Sequence, residues 1–152
     1  MRLEEVLHAD DVTTDLPAAD KQSTLRGLAR LLSRRDDLDE DAVYQAIAVR
    51  ERLATTGIGS GVAMPHGRLR VNHPRMALAI CRQGIAFDSV DGEPARILVA
   101  LLTPYEHPGE QIKVLARVSR VLRRPSVRER LLLAASGDDA LRILVEEDQR
   151  YH

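Results

Sequence analysis

The 152-residue chain is 44% hydrophobic and 30% charged, with 22 basic and 23 acidic residues and a formal charge of −1. That is the balance of an ordinary soluble globular protein, long enough to bury a core as a single domain over 1–152, and it gives no support to a nucleic-acid partner. The longest apolar run, Ile97 to Leu102, is too short to insert across a membrane, and Met1-Arg2-Leu3-Glu4-Glu5 lacks the basic start and apolar centre of a signal peptide.

A short strand is expected near Val12. From Lys21 to about Arg34, Leu25, Leu28, Ala29 and Leu32 recur at helical spacing and predict an amphipathic helix. The acidic stretch from Asp36 to Asp41 reads as a turn, one of its carboxylates capping a second helix from about Glu40 to Arg52. Val43, Ala46 and Ile47 form the apolar face of that helix, and Arg50, seven residues after Val43, returns to it. Two readings of Arg50 stand side by side. A guanidinium turned inward needs a partner, whereas one in the last turn can run its stem over apolar surface and reach water.

Gly57-Ile58-Gly59-Ser60-Gly61 follows, then the apolar run Val62-Ala63-Met64, then Pro65-His66-Gly67. The glycines relax the backbone, the apolar run reads as a strand end, and Pro65 holds Met64 extended. Gly67 removes bulk directly after the histidine. An imidazole is thereby presented at a strand end between a rigid residue and a small one. A dinucleotide fingerprint is excluded, because the spacing is G-x-G-x-G and a strand-like run with a proline stands where a helix would have to begin.

Met76 to Cys81 and Ile97 to Leu102 are continuous apolar runs suited to strands covered on both faces. Cys81 is the only cysteine, so no intrachain disulfide can form; it reads as a core residue in a reducing compartment, and the cytoplasm is expected. Arg82-Gln83-Gly84 is expected to break the first run, with Ile85-Ala86-Phe87 resuming as another strand, and Asp91-Gly92 signals a turn. After Pro104, residues Tyr105 to Gly109 read as a loop. A helix from about Glu110 to Arg124 is expected to turn Ile112, Leu115, Val118 and Leu122 inward. Ser126-x-x-Glu129 has capping-box form and opens a helix to about Ala135, which Gly137 stops; Asp138 or Asp139 then caps a last helix bearing Leu141, Leu144 and Val145. Strands interleaved with helices predict an α/β sandwich with helices on both sheet faces, although the pattern does not give strand order. His8, His73, His107 and His152 have no paired zinc-ligand spacing, so neither a metal nor a cofactor is expected, and no Ser or Cys sits in a nucleophile elbow.

The segment Arg50-Glu51-Arg52-Leu53-Ala54-Thr55-Thr56-Gly57, the run into Met64-Pro65-His66-Gly67, and Phe87-Asp88-Ser89-Val90-Asp91-Gly92-Glu93-Pro94 together resemble the enzyme IIA family of the bacterial phosphotransferase system. The resemblance is to the fructose/mannitol branch, most of all to its nitrogen-regulatory type, and it covers nearly the whole chain. It implies a mixed β-sheet flanked by helices. It also implies a phosphotransferase that receives a phosphoryl group on His66 from a histidine-containing phosphocarrier protein, with Arg50 neutralising the phosphate. Imidazole suits a relay because one nitrogen can attack while the other keeps an orienting hydrogen bond, and a guanidinium fork matches phosphate oxygens. Thr55, Thr56 and Ser60 could add hydroxyl donors near the phosphoryl group, although turn hydrogen bonding is their ordinary role.

One position departs from the family pattern. Where a second histidine usually begins the helix after the Pro104 loop, this chain has Gln111, which can donate from its amide but carries no charge. His107, in the loop, is a poor substitute. No sugar-transporting domain accompanies the sequence, which favours a regulatory protein acting on target proteins. The alternatives are a fructose/mannitol-type enzyme IIA passing phosphate to a separate IIB component, and a non-transferring regulatory binding module, for which Gln111 is the motive.

Overall fold

The computed structural model describes residues 1–17, 19–35 and 37–151. Asp36, in the expected acidic turn, and His152 lie outside the described residues. Two 3-10 turns, Leu3–Glu5 and Ala9–Asp11, lead into β1 (Val12–Thr13). Asp20 caps α1 (Lys21–Arg34), its carboxylate accepting from Ser23 N at 2.8 Å, and Asp39 caps α2 (Glu40–Leu53). β2 (Gly57–Gly59) and β3 (Val62–Ala63) form a hairpin closed by Ser60 and Gly61. Both closing residues take positive φ, 57° and 78°, as a two-residue turn between twisted antiparallel strands requires. β4 (His66–Leu69), β5 (Arg75–Ile85), β6 (Ala95–Pro104), α3 (Pro108–Leu122), α4 (Pro125–Leu132) and α5 (Gly137–Gln149) complete the chain.

The sheet is mixed, in the order β1-β5-β6-β3-β2, with β4 also pairing β6. β5 and β6 are antiparallel, whereas β3 and β4 run parallel to β6 along one edge. Val62 faces Ile97, Ala63 faces Leu98 and His66 faces Leu101, the same register offset throughout. β3 and β4 are thus one strand interrupted at Met64-Pro65, and Leu101 N still donates to Pro65 O at 3.0 Å across the break.

The side-chain period of two divides the core. Val62, Met64, Leu78, Ile97, Val99 and Leu101 face α3, α4 and α5 on one side. Ala63, Ala77, Ala79, Leu98, Ala100 and Leu102 face α1 and α2 on the other. Small residues on this second face let α2 come close. Gly67 has the same parity, and a Cβ there would lie 2.6 Å from the Ala46 carbonyl oxygen. Gly67→Ala should therefore destabilise the fold by about 1–3 kcal/mol and lower Tm by about 2–12 °C, read by thermal unfolding. An unchanged Tm would contradict the close approach.

Several boundaries differ from expectation. β5 is unbroken to Ile85: the register shifts through a bulge, with Gly84 at φ 80° absorbing the irregularity, and Phe87 is buried outside the strand. α3 starts at Pro108 rather than Glu110, since proline is well placed in a first turn. Its buried face is Val114, Val118, Val121 and Leu122, which leaves Ile112 exposed rather than inward. Pro125 occupies the first turn of α4, so Arg124 is the cap and the Ser126 capping box does not form. Gly137 opens α5 instead of stopping α4, with Ser136 as the cap, its Oγ accepting from Asp139 N. No helix among the described residues is long and apolar enough to cross a membrane.

Candidate functional site

His66 is the first residue of β4 and is only 7% exposed. Its Nδ1 lies 2.8 Å from the Met64 carbonyl oxygen. A carbonyl can only accept, so Nδ1 carries the proton and Nε2 keeps a free lone pair. Burial lowers the imidazole pKa below its usual 6.5; the Met64 carbonyl and Glu51 oppose that effect, while Arg50 and Arg68 reinforce it. The ring is therefore held neutral, with one defined nitrogen available for attack.

His66 lines an open depression of about 590 Å³ between α2, β4 and α3, shared with Val49, Arg50, Arg68, Tyr105 and Gln111. Arg50, in the last turn of α2, is half-buried and donates from Nη1 to Ala54 O at 2.8 Å, leaving the rest of its fork for the depression. Arg68 stands two residues after His66 and so projects from the same side of β4. Its Nε donates to Gln111 Oε1 at 3.3 Å, and the Thr103 hydroxyl donates to the same oxygen at 3.3 Å. Gln111 is thereby oriented oxygen toward Arg68 and Thr103, with its amide nitrogen left over as a donor. Val49 and Tyr105 line the depression, are exposed, and give the mouth an apolar rim. The arrangement brings a neutral nucleophilic nitrogen together with two cationic forks and one neutral donor, which is what a phosphoryl group of distributed negative charge requires.

Of the residues singled out from the sequence, His66, Arg50 and Gln111 meet here. Thr56 and Ser60 do not line the depression. Thr56 is buried behind the site, where its N donates to Glu51 Oε2 at 2.8 Å and its hydroxyl to Glu51 Oε1. Ser60 closes the far end of the β2–β3 hairpin, its N donating to Asp91 Oδ2 at 2.9 Å. Six residues of extended chain, roughly 20 Å, carry it away from His66. Thr55 donates to Phe87 O, and His107 is exposed at the start of α3. Sequence reasoning missed Arg68, Glu51 and Lys21. Recognising His66–Leu69 as a strand would have found Arg68 through its period of two. No local signal marked the Lys21–Glu51 pair, which joins α1 to α2 at 2.9 Å.

The family described as “Phosphoenolpyruvate-dependent sugar phosphotransferase system, EIIA 2” matches residues 5–147. A “Nitrogen regulatory protein” of Pseudomonas aeruginosa is 30% identical over 148 residues, covering 96% of each chain. The crystal structure of Nitrogen Regulatory Protein IIA-Ntr from Neisseria meningitidis superposes with a TM-score of 0.88 at 31% identity, covering 93% of this chain and 98% of that one. Enzyme IIAMTL in its complex with phosphorylated enzyme IIBMTL from Escherichia coli gives a TM-score of 0.79 at 26% identity, over 92% of this chain and 97% of that one. The helix-flanked mixed sheet agrees with these neighbours. This chain belongs to the EIIA 2 family of the phosphoenolpyruvate-dependent sugar phosphotransferase system.

Proposed function

We propose that this chain is a cytoplasmic phosphocarrier of the nitrogen-regulatory type, one domain throughout, that accepts a phosphoryl group on Nε2 of His66. A histidine-containing phosphocarrier protein is the donor, and the phosphorylation state governs docking to target proteins. The observation that carries this reading is His66 itself: Nδ1 is tied to the Met64 carbonyl, and Arg50 and Arg68 stand at the same depression. In the transfer, the Nε2 lone pair forms a bond to phosphorus. The donor's N–P bond breaks and its electron pair returns to the donor nitrogen, while Nδ1 of His66 keeps its proton. The accepting ring passes from neutral to cationic, and charge spreads over the phosphoryl oxygens, where Arg50, Arg68 and the Gln111 amide can meet it. The depression is open with an apolar rim, which suits a transient protein donor approaching in line.

Incubation with phosphoenolpyruvate and the purified general components tests the reading through intact mass. One added phosphoryl group, lost in acid, is expected; no addition would leave the non-transferring binding module. The likeness to IIAMTL in its IIB complex favours a second reading, in which phosphate passes onward to a IIB component. Loss of the label when fructose- or mannitol-type IIB is added would select that reading over the regulatory one.

The lowered pKa of His66 fixes a pH dependence. Only the neutral ring attacks, so the rate should fall to half its plateau only below pH 6.5, as protonation removes the lone pair. A half-maximal rate at or above pH 6.5, measured at saturating donor, would contradict it. Stability follows the same sign. Between the depressed folded pKa and 6.5 the unfolded chain binds more protons, so the contribution present above pH 6.5 is lost as pH falls through the folded value.

A further inference from the structure

Glu51 is a carboxylate where a carboxylate is disfavoured. It lies in the last turn of α2, where the helix dipole opposes an anion, and it is 7% exposed. Three donors compensate: Thr56 N, the Thr56 hydroxyl, and Lys21 Nζ at 2.9 Å. Lys21 is itself held by Asp88 and by the Phe87 ring, whose centroid is 4.6 Å away. The chain of contacts does not end at Thr56. Its carbonyl accepts from Met64 N at 3.0 Å, and the Met64 carbonyl accepts from His66 Nδ1 at 2.8 Å. Lys21, Glu51, Thr56, Met64 and His66 thus form one continuous hydrogen-bonded line running from α1, through the α2–β2 junction, to the imidazole.

We propose that Glu51 is the positioning residue for His66: through Thr56 and Met64 it fixes the Nδ1–H tautomer, and its charge supports the imidazole as it becomes cationic. The inference rests on the reading of His66 as phosphoryl acceptor. Joining a helix to a strand needs no buried anion; a neutral cap or a glycine suffices. The charge has a use at the site. Among the described residues, the other charged groups facing His66 are Arg50 from α2 and Arg68 from its own strand, both cationic, and α3 contributes the neutral Gln111. The two arginines favour the incoming phosphoryl oxygens and oppose positive charge on the ring. Glu51 offsets them on the ring side, so the site can hold a phosphoryl group and an imidazolium together.

The test reads the imidazole directly, in the intact chain without a donor, and phosphorylation separately. Long-range proton–nitrogen NMR should find the Nδ1–H tautomer in the parent protein. In Glu51→Gln and in Thr56→Val the Nε2–H tautomer should appear, while the His66 pKa should fall in Glu51→Gln. Phosphorylation at pH 7 should slow about tenfold in Glu51→Gln, the loss of one charge interaction with the developing imidazolium. Thr56→Ser, which keeps both donors, should behave as the parent. A purely structural latch would lower Tm and leave tautomer and titration unmoved, and that result overturns the inference. If Glu51→Gln does not fold, the near-isosteric Thr56→Val decides by the same tautomer criterion. Failure of the parent protein to accept phosphate would count against the phosphocarrier reading, whereas an Nε2–H tautomer in that parent would count against Glu51.

Discussion

His66→Ala should abolish phosphorylation from the phosphocarrier while leaving the fold intact. Intact mass of the variant should show no acid-labile addition under conditions that label the parent protein fully. The effect is total because, among the described histidines, His66 is the one that shares the depression with Arg50, Arg68 and Gln111. His8 is half-buried near Asp11, His73 is exposed in the loop before β5, and His107 is exposed at the start of α3. Truncating a single ring at the edge of the sheet removes little apolar core, so the Tm change should be small beside the loss of function. Undiminished labelling of His66→Ala would place the acceptor elsewhere and end the phosphocarrier mechanism described above.

Arg50→Ala should slow phosphorylation by about ten- to a hundredfold, since a hydrogen bond to a charged group contributes about 1.5–3 kcal/mol and here it acts on charge that develops in transfer. Arg68→Ala should cost somewhat less, because its Nε is already committed to Gln111 Oε1 and the side chain is exposed. The double variant tests whether the two forks clamp one phosphoryl group. Their effects should then be non-additive, as expected of residues that act as a unit. Gln111→Ala should cost less than either arginine, and Gln111→His should preserve or improve transfer by restoring a ring able to carry charge at that place. Initial rates for the four single variants, measured with a saturating donor, decide the ranking. Parental rates in Arg50→Ala would refute this division of labour.

His66 and its approach were legible because the sequence states them locally. Pro65 and Gly67 constrain the backbone on either side, and the motif resembles a family whose chemistry is carried by its histidine. Gly67 proved to serve packing as well, clearing the Ala46 backbone so that α2 lies against β4. The alternating glycines before it read as flexibility, but they build a tight hairpin that carries Ser60 away from the site. Continuous apolar runs placed the central strands, since β5 and β6 are buried on both faces. The errors came where two patterns compete over a few residues. On α3 a stripe through Ile112 and one through Val114 differ by two residues, and contact with the sheet selects the second. Arg68 and Glu51 were hidden for a different reason. Each looks like an ordinary surface charge beside a more conspicuous neighbour, and each acquires its role only when another element is brought to it, α3 to Arg68 and α1 to Glu51.

The measurement that bears most directly on the account is nitrogen and phosphorus NMR of the protein after phosphorylation by the donor chain, with intact mass on the same sample. One phosphoryl group per chain is predicted, bonded to Nε2 of His66, with Nδ1 still protonated and hydrogen-bonded to the Met64 carbonyl. Phosphate on Nδ1, on any other residue, or absent altogether would contradict it.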